Sequence, residues 1–289
     1  MEILTWCDPK YFVFARGLIG SIRYHENSNK IHLCLLDFNK EQEEKVREIY
    51  KNDSQIDFIK MYSSDQSDFS VIDNKSLNPD ADNGKVQFYR NFRPRLFLNL
   101  LESSPTGKLC TFGANGVVFS KLDYISNLLD NHDFVFMERE KNNIFTQSPQ
   151  TVHCIEDIRD LVRDHNISID DILPQTTGKV VLLGTHAFRR TKEVTSILEK
   201  WKILIENTDS INTKFSDMNL FVKAYVDDLL SGSTVTKETG LSLPRSKNPF
   251  CDTSLTTGNK IWFAKGPQKF SNKVYHEALQ KFVNYKYTL

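Results

Sequence analysis

Ile3-Leu4-Thr5-Trp6-Cys7-Asp8, Ile31-His32-Leu33-Cys34-Leu35-Leu36 and the segment from Ile56 to Met61 are short, dense apolar runs near the start of the chain. Each is too short for a helix and apolar enough for a strand covered on both faces. Between the first two runs, Tyr11, Phe14, Ala15, Leu18, Ile19 and Ile22 recur at the spacing of one helix face. Between the second and third, a polar helix is expected from Lys40 to Tyr50, with Asn39 placed to cap it and Val46, Ile49 and Tyr50 as its inward edge. Strand, helix, strand, helix, strand predicts parallel strands joined by right-handed crossovers. The fold class is therefore α/β, with a central, mostly parallel, twisted sheet flanked by helices. His32 is the polar residue in its run and is read as hydrogen-bonded near the strand start rather than catalytic.

Further along, residues Ser63 to Lys85 are rich in Asp, Asn and Ser and read as a loop. Tyr89 to Leu101 returns to helical spacing, with Pro94 marking a start or kink. Leu109 to Phe112 is a fourth strand, running into Gly113-Ala114-Asn115-Gly116; Phe134 to Met137 and Val180 to Leu183 are a fifth and sixth. Between those two, Ile155 to Val162 reads as a short helix. The clearest helix spans Thr191 to Ile205, with Val194, Ile197, Leu198, Trp201, Leu204 and Ile205 on one stripe. Another opens at Ser216-Asp217 and carries Leu220, Phe221, Ala224 and Tyr225. Ser231 to Asn259 shows no sustained period, so a long excursion of the kind that closes over ligands is expected. Ile261 to Ala264 is a last apolar run, followed by a helix through Tyr275, Ala278, Leu279 and Phe282.

Composition narrows the function classes. Lys+Arg 37 against Asp+Glu 37 leaves the 289 residues neutral, which gives no bulk attraction to nucleic acid. Hydrophobic content of 39% excludes a disordered tail protein, and the length fits one large domain or two small ones. No apolar run reaches the ~20 residues of a membrane span. Met1 to Asp8 has no basic leader region and reads as the start of a folded strand. Five scattered cysteines without C-x-x-C spacing argue for buried thiols in a reducing, cytoplasmic setting. P-loop, dinucleotide, G-x-S-x-G and H-E-x-x-H signatures are absent, and the histidines lack metal-ligand spacing.

Four segments, in this order and spacing, resemble the nucleotide-sugar-dependent glycosyltransferases of GT-A fold, especially those related to family 8. Leu4-Thr5-Trp6-Cys7-Asp8 followed by Tyr11 is similar to the family's opening strand and nucleoside-holding turn. Arg95-Leu96 resembles the arginine-bearing helix ahead of its metal motif. Thr177-Gly178-Lys179-Val180-Val181-Leu182-Leu183, with the helix carrying Trp201, is similar to its "N-x-G-V" strand and "W" helix. Lys265-Gly266-Pro267-Gln268-Lys269 resembles the end of its "H-x-x-G-x-x-K" signature. The likeness spans the whole chain. It implies a single domain over 1–289, with a nucleotide-binding half at 1–112 and an acceptor and catalytic half at 113–289.

The departures bear on mechanism. Where the family ends its fourth strand in a metal-binding Asp-x-Asp, this chain has Gly113-Ala114-Asn115, and where the family has a third, histidine ligand it has Phe263. Hard divalent cations need oxygen-rich ligands, so no metal cofactor is expected, and Lys265, Lys269 and Arg95 are the cations available to a departing diphosphate. The resemblance implies a nucleotide-sugar site containing Thr5, Cys7, Asp8, Tyr11, Arg95, Asn115, Lys265, Gly266 and Lys269. Simpler roles stand beside these: core packing for Tyr11, an ion pair for Arg95, a turn for Asn115, solvated charge for the lysines. Asp217, where the resemblance places a "D-Q" pair, is the candidate general base on an acceptor hydroxyl, or else a charge serving its helix N-terminus. Met218 replaces the glutamine, which leaves retaining and inverting outcomes open. The expectation is a metal-independent glycosyltransferase with a nucleotide-sugar donor, a glycan or other hydroxyl acceptor, no nucleic-acid partner and no membrane span. The alternative is a catalytically inactive module that binds a nucleotide sugar or a partner on the same scaffold.

Overall fold

The structure is a computed structural model that describes residues 1–25, 28–62, 92–139, 180–207, 220–221, 223–225, 227–228, 240–243, 261–263, 268–283 and 285. The opening runs form β1 (Glu2–Cys7), β2 (Ile31–Leu36) and β3 (Ile56–Met61), separated by α1 (Phe12–Tyr24) and α2 (Lys40–Ile49). β1 pairs with β2, and β2 with β3, in parallel register. α2 begins as its sequence predicts: the Asn39 side chain accepts from Gln42 N, and the Gln42 side chain accepts from Asn39 N, a reciprocal capping box. His32 donates or accepts at 2.6 Å from Glu2 Oε2, both side chains buried, which is the hydrogen-bonded role expected of it.

The chain continues through α3 (Arg93–Ser103), with Pro94 in its first turn, β4 (Lys108–Gly113), β5 (Gly116–Val118), α4 (Asp123–Asn131) and β6 (Phe134–Arg139). Then follow β7 (Val180–Arg189), α5 (Lys192–Asn207), β8 (Gly240–Leu243), β9 (Ile261–Phe263), α6 (Gln268–Ser271) and α7 (Lys273–Val283). A further helix includes the buried Leu220, Phe221, Ala224 and Tyr225. The main sheet has seven strands in the order β3-β2-β1-β4-β7-β6-β8, and β5 pairs with β9 in a separate two-stranded sheet. β1 and β4 are parallel, as are β6 and β8, whereas β7 runs antiparallel to both of its neighbours. The sheet is mostly parallel with one reversed strand.

Three expectations change. The excursion from Ser231 to Asn259 contains β8, which adds to the sheet edge. The run at Val180 to Leu183 is the beginning of a ten-residue strand, whose register with β6 shifts between Phe136 and Met137. α4 lies in a stretch that periodicity leaves unassigned, because it buries just Ile125 and Leu129 among its residues. The expected loop at 63–85 and helix at 155–162 lie outside the described residues.

Alternate residues of each central strand enter different cores. Ile3, Cys7, Leu33, Leu35, Cys110 and Phe112 pack with α1, α4 and α7. Leu4, Cys34, Leu36 and Leu109 pack with α3, α5 and the helix carrying Phe221. Trp201 lies fully buried in the second core, with Phe97 and Phe221 rings 6.0 and 5.2 Å away. α1 is fixed from several sides. Ser21 Oγ accepts from Val118 N at 2.9 Å, Arg16 donates to the Val283 carbonyl at 3.2 Å, and Gly17 and Gly20 let α7 approach closely. No helix among the described residues is long and apolar enough to cross a membrane.

Candidate functional site

β1 and β4 end side by side, with Trp6 opposite Gly113. The backbone leaving β1 turns at once: the Asp8 carboxylate accepts from Tyr11 N at 2.8 Å and caps the 3-10 turn Pro9–Tyr11 that leads into α1. Asp8 thereby fixes where Tyr11 stands. The backbone leaving β4 turns through Ala114-Asn115, and β9 places Phe263 opposite Gly116. The two positions at which metal ligands are expected by resemblance are thus neighbours in the fold.

Tyr11 is half-buried. Its ring lies 5.6 Å from Phe14 and 6.3 Å from Phe270, and the Lys269 ammonium stands 4.5 Å from its centroid. Phe14 stacks on Tyr275 at 6.3 Å, and the Tyr275 hydroxyl donates to the Asn115 carbonyl at 3.0 Å. One continuous set of contacts therefore joins Asp8, Tyr11, Lys269 and Asn115, from the start, middle and end of the sequence. Asn115 takes part through its backbone, consistent with the turn role it was also given.

The remaining candidates are placed differently. Thr5 and Cys7 are buried in β1. Burial pushes the Cys7 thiol well above its ordinary pKa, so it stays protonated and unreactive. The Thr5 hydroxyl is buried and has no hydrogen-bond partner among the described residues. Arg95 turns towards α5, donating from Nε and Nη2 to Glu206 Oε1 at 2.9 and 2.7 Å. Arg95 thus makes the ion pair that was its simpler reading. Asp217, Lys265 and Gly266 lie outside the described residues.

Two residues at this edge escape sequence reasoning. The Arg93 guanidinium stands 4.9 Å above the Trp6 ring, which sets a cation beside the end of β1. Arg93 and Arg95 flank Pro94, and the pattern alone does not say which turns inward. Phe270, next to Lys269, reaches Tyr11 and Phe14; nothing in its neighbourhood marks a short helix that would bring it there.

A divalent cation fits this donor set poorly. The turn offers backbone carbonyls and the Asn115 amide, and the facing position is a phenylalanine, whereas such ions prefer several anionic oxygens. Among the described residues no group of three His, Cys, Asp or Glu side chains could hold a metal ion. An open cavity of ≈ 390 Å³, lined by Glu2, Lys30, His32, Asp57 and Leu100 among others, lies at the opposite end of these strands. Its polar groups contact one another, His32 hydrogen-bonding Glu2 and Lys30 pairing with Asp57 at 2.7 Å, which is a structural arrangement.

No protein-family model matches the chain, and no curated protein matches it by sequence. Solved structures do match. The galactosyltransferase LgtC, in complex with donor and acceptor sugar analogs, superposes with TM-score 0.50 at 12% identity, over 98% of this chain and 96% of its own. The bifunctional glycosyltransferase WbbM gives TM-score 0.54 at 12% identity, over 97% of this chain and 51% of its own. GlyE, a glycosyltransferase of Streptococcus pneumoniae TIGR4, gives TM-score 0.52 at 15% identity, over 98% of this chain and 62% of its own. The chain spans about half of WbbM and under two thirds of GlyE, but nearly all of LgtC. In its α/β architecture, with a mostly parallel sheet flanked by helices, this chain has the fold of the GT-A-type glycosyltransferases.

Proposed function

We propose that the chain is a glycosyltransferase that binds a nucleotide sugar at the ends of β1 and β4 and moves the sugar to a hydroxyl acceptor without a divalent metal. The observation that carries the reading is the contact of Lys269 with Tyr11, which joins the opening turn to the C-terminal signature beside the β4–β5 turn. Ligands of open α/β sheets bind at such strand ends, and LgtC, with the same fold, was solved with donor and acceptor analogs.

Sugar transfer leaves negative charge on the departing nucleoside diphosphate, and pre-placed cations lower the barrier to its departure. Lys269 takes that role here, with Arg93 as a second cation at the edge. Arg95 instead ties α3 to α5. Asp217, three residues before Leu220 in the sequence, is the proposed base on the acceptor hydroxyl. The buried free thiols of Cys7, Cys34 and Cys110 support a reducing, cytoplasmic setting.

The test is calorimetry with UDP-, GDP-, CDP-, ADP- and TDP-sugars, with and without chelator, on wild type and Lys269→Ala. At least one donor is expected to bind equally well in chelator. Losing one charge-assisted contact should then weaken it about tenfold or more in the variant. Failure of every donor to bind sinks the reading, and binding that requires Mn²⁺ sinks its metal-free part. Binding with neither transfer nor slow donor hydrolysis would make the chain a non-catalytic binding module.

A further inference from the structure

We infer that Phe270 is the second wall of a nucleobase slot whose first wall is Tyr11, and that Lys269 fills this slot until a donor arrives. The inference rests on the donor-binding reading above and adds to it the residue that grips the base and the movement that admits it. Phe270 is 54% exposed, the most exposed large apolar side chain among the described residues. Isolated exposure of this kind is ordinary, but this ring is not isolated. It meets Tyr11 at 6.3 Å and 62°, and Phe14 at 5.9 Å and 74°. Tyr11 and Phe270 therefore form a notch, with Phe14 closing one side.

The Lys269 ammonium occupies that notch, 4.5 Å from the Tyr11 centroid and 5.1 Å from that of Phe270. An ammonium held by two ring faces has an electrostatic partner but no strong hydrogen-bond acceptor there. A diphosphate supplies anionic oxygens, which a compact, mobile lysine head prefers. Lys269 and Phe270 are consecutive residues of α6, and the proposed movement takes the ammonium off the rings and onto the phosphates of the same ligand. With the two rings 62° apart, a planar base stacks on the exposed Phe270 face with Tyr11 flanking it, and stacking on an aromatic ring outweighs the displaced cation–π contact. Stacking reads the presence of a base more than its identity, so the slot gives grip and leaves base selection to other groups.

The experiment is calorimetry of UDP, GDP, CDP, ADP and TDP on the full chain carrying Phe270→Ala, Phe270→Leu or Phe270→Tyr. The nucleoside diphosphate that binds wild type most tightly is expected to lose roughly tenfold in affinity in both the alanine and leucine variants, as for one lost base–aromatic stack. Tyrosine should restore it. Because leucine keeps apolar bulk and only the ring face is lost, wild-type affinity in Phe270→Leu overturns the slot. So does a loss that tyrosine fails to rescue. If none of the five nucleoside diphosphates binds wild type, the donor reading itself fails, and the slot with it. Thermal unfolding of each variant, expected to match wild type at this exposed position, separates loss of binding from loss of fold.

Discussion

His186 shows how a single side chain couples this fold to pH. It is fully buried on β7, with Phe188 stacked 5.6 Å away and the Phe97 and Phe221 rings at 6.1 and 6.2 Å. Its Nδ1 lies 3.0 Å from Thr111 Oγ1 on the neighbouring strand. Burial first, and then the positive charge of Arg93, lower its pKa from 6.5 to about 3. The folded chain therefore holds a neutral imidazole at pH values where the unfolded chain protonates it. The unfolded state binds the extra proton between about pH 6.5 and pH 3, so stability falls as pH falls through that window. At pH 5 the expected loss is about 2 kcal/mol from this group, from one and a half pH units at ~1.4 kcal/mol each. His186→Gln keeps a polar partner for Thr111 and cannot titrate in this range. Urea unfolding at pH 7 and pH 5 should thus show a markedly smaller acid loss in the variant, and equal losses would rule out His186 as the sensor.

At the scale of elements, the α1–α7 contact behaves differently at its two glycines. A Cβ on Gly17 would meet Leu279 Cδ1 at 2.0 Å, the far end of a flexible side chain that can rotate aside. A Cβ on Gly20 would meet the backbone carbonyl oxygen of Phe282 at 2.0 Å, and that oxygen is fixed by the helix. Helix propensity favours alanine over glycine at either site by about 1 kcal/mol. Overpacking costs roughly 1–3 kcal/mol where the neighbours must shift. The two terms nearly cancel for Gly17→Ala, whereas Gly20→Ala must push α7 off α1 and strain the Arg16 contact with the Val283 carbonyl. Chemical denaturation should find Gly17→Ala within about 1 kcal/mol of wild type and Gly20→Ala lower by about 2 kcal/mol. Equal effects would show that α7 slides on α1 instead of resting against it. Because α7 also carries Tyr275, which fixes the Asn115 carbonyl, Gly20→Ala should loosen the β4–β5 turn as well.

Across the whole molecule, what was legible followed from element length. β1 through β3 and their helices are read correctly because each apolar run or helical stripe is long enough to show its period, and Asn39 signs the start of α2. β5 and β9 are three residues each and β8 four, too short for any period to emerge. The reversal of β7 depends on the end at which the chain re-enters the sheet, which composition does not encode. The order of the motifs put Tyr11 and Lys269 in one expected site, and the fold brings these two side chains into contact. Arg93 and Phe270 were hidden because a helix start one or two residues either way turns a different side chain inward. The same topology bears on the expected halves at 1–112 and 113–289. β4 pairs with β1 on one side and β7 on the other, and α1 of the first half packs on α7 of the second. Each core draws side chains from both halves, Ile3 with Tyr275 in one and Leu4 with Trp201 in the other, so the halves should unfold together. The chain's three tryptophans can check this. Trp201 reports on one core, Trp262 on the other, and Trp6 on the edge where β1 and β4 end. Variants keeping one tryptophan each, with the others replaced by phenylalanine, should each give a urea fluorescence transition that coincides with that variant's own far-UV circular dichroism. A Trp262 signal that melts at a clearly different midpoint from its circular dichroism would show that the α1–α7 layer is an independent unit and that the chain is not one cooperative domain.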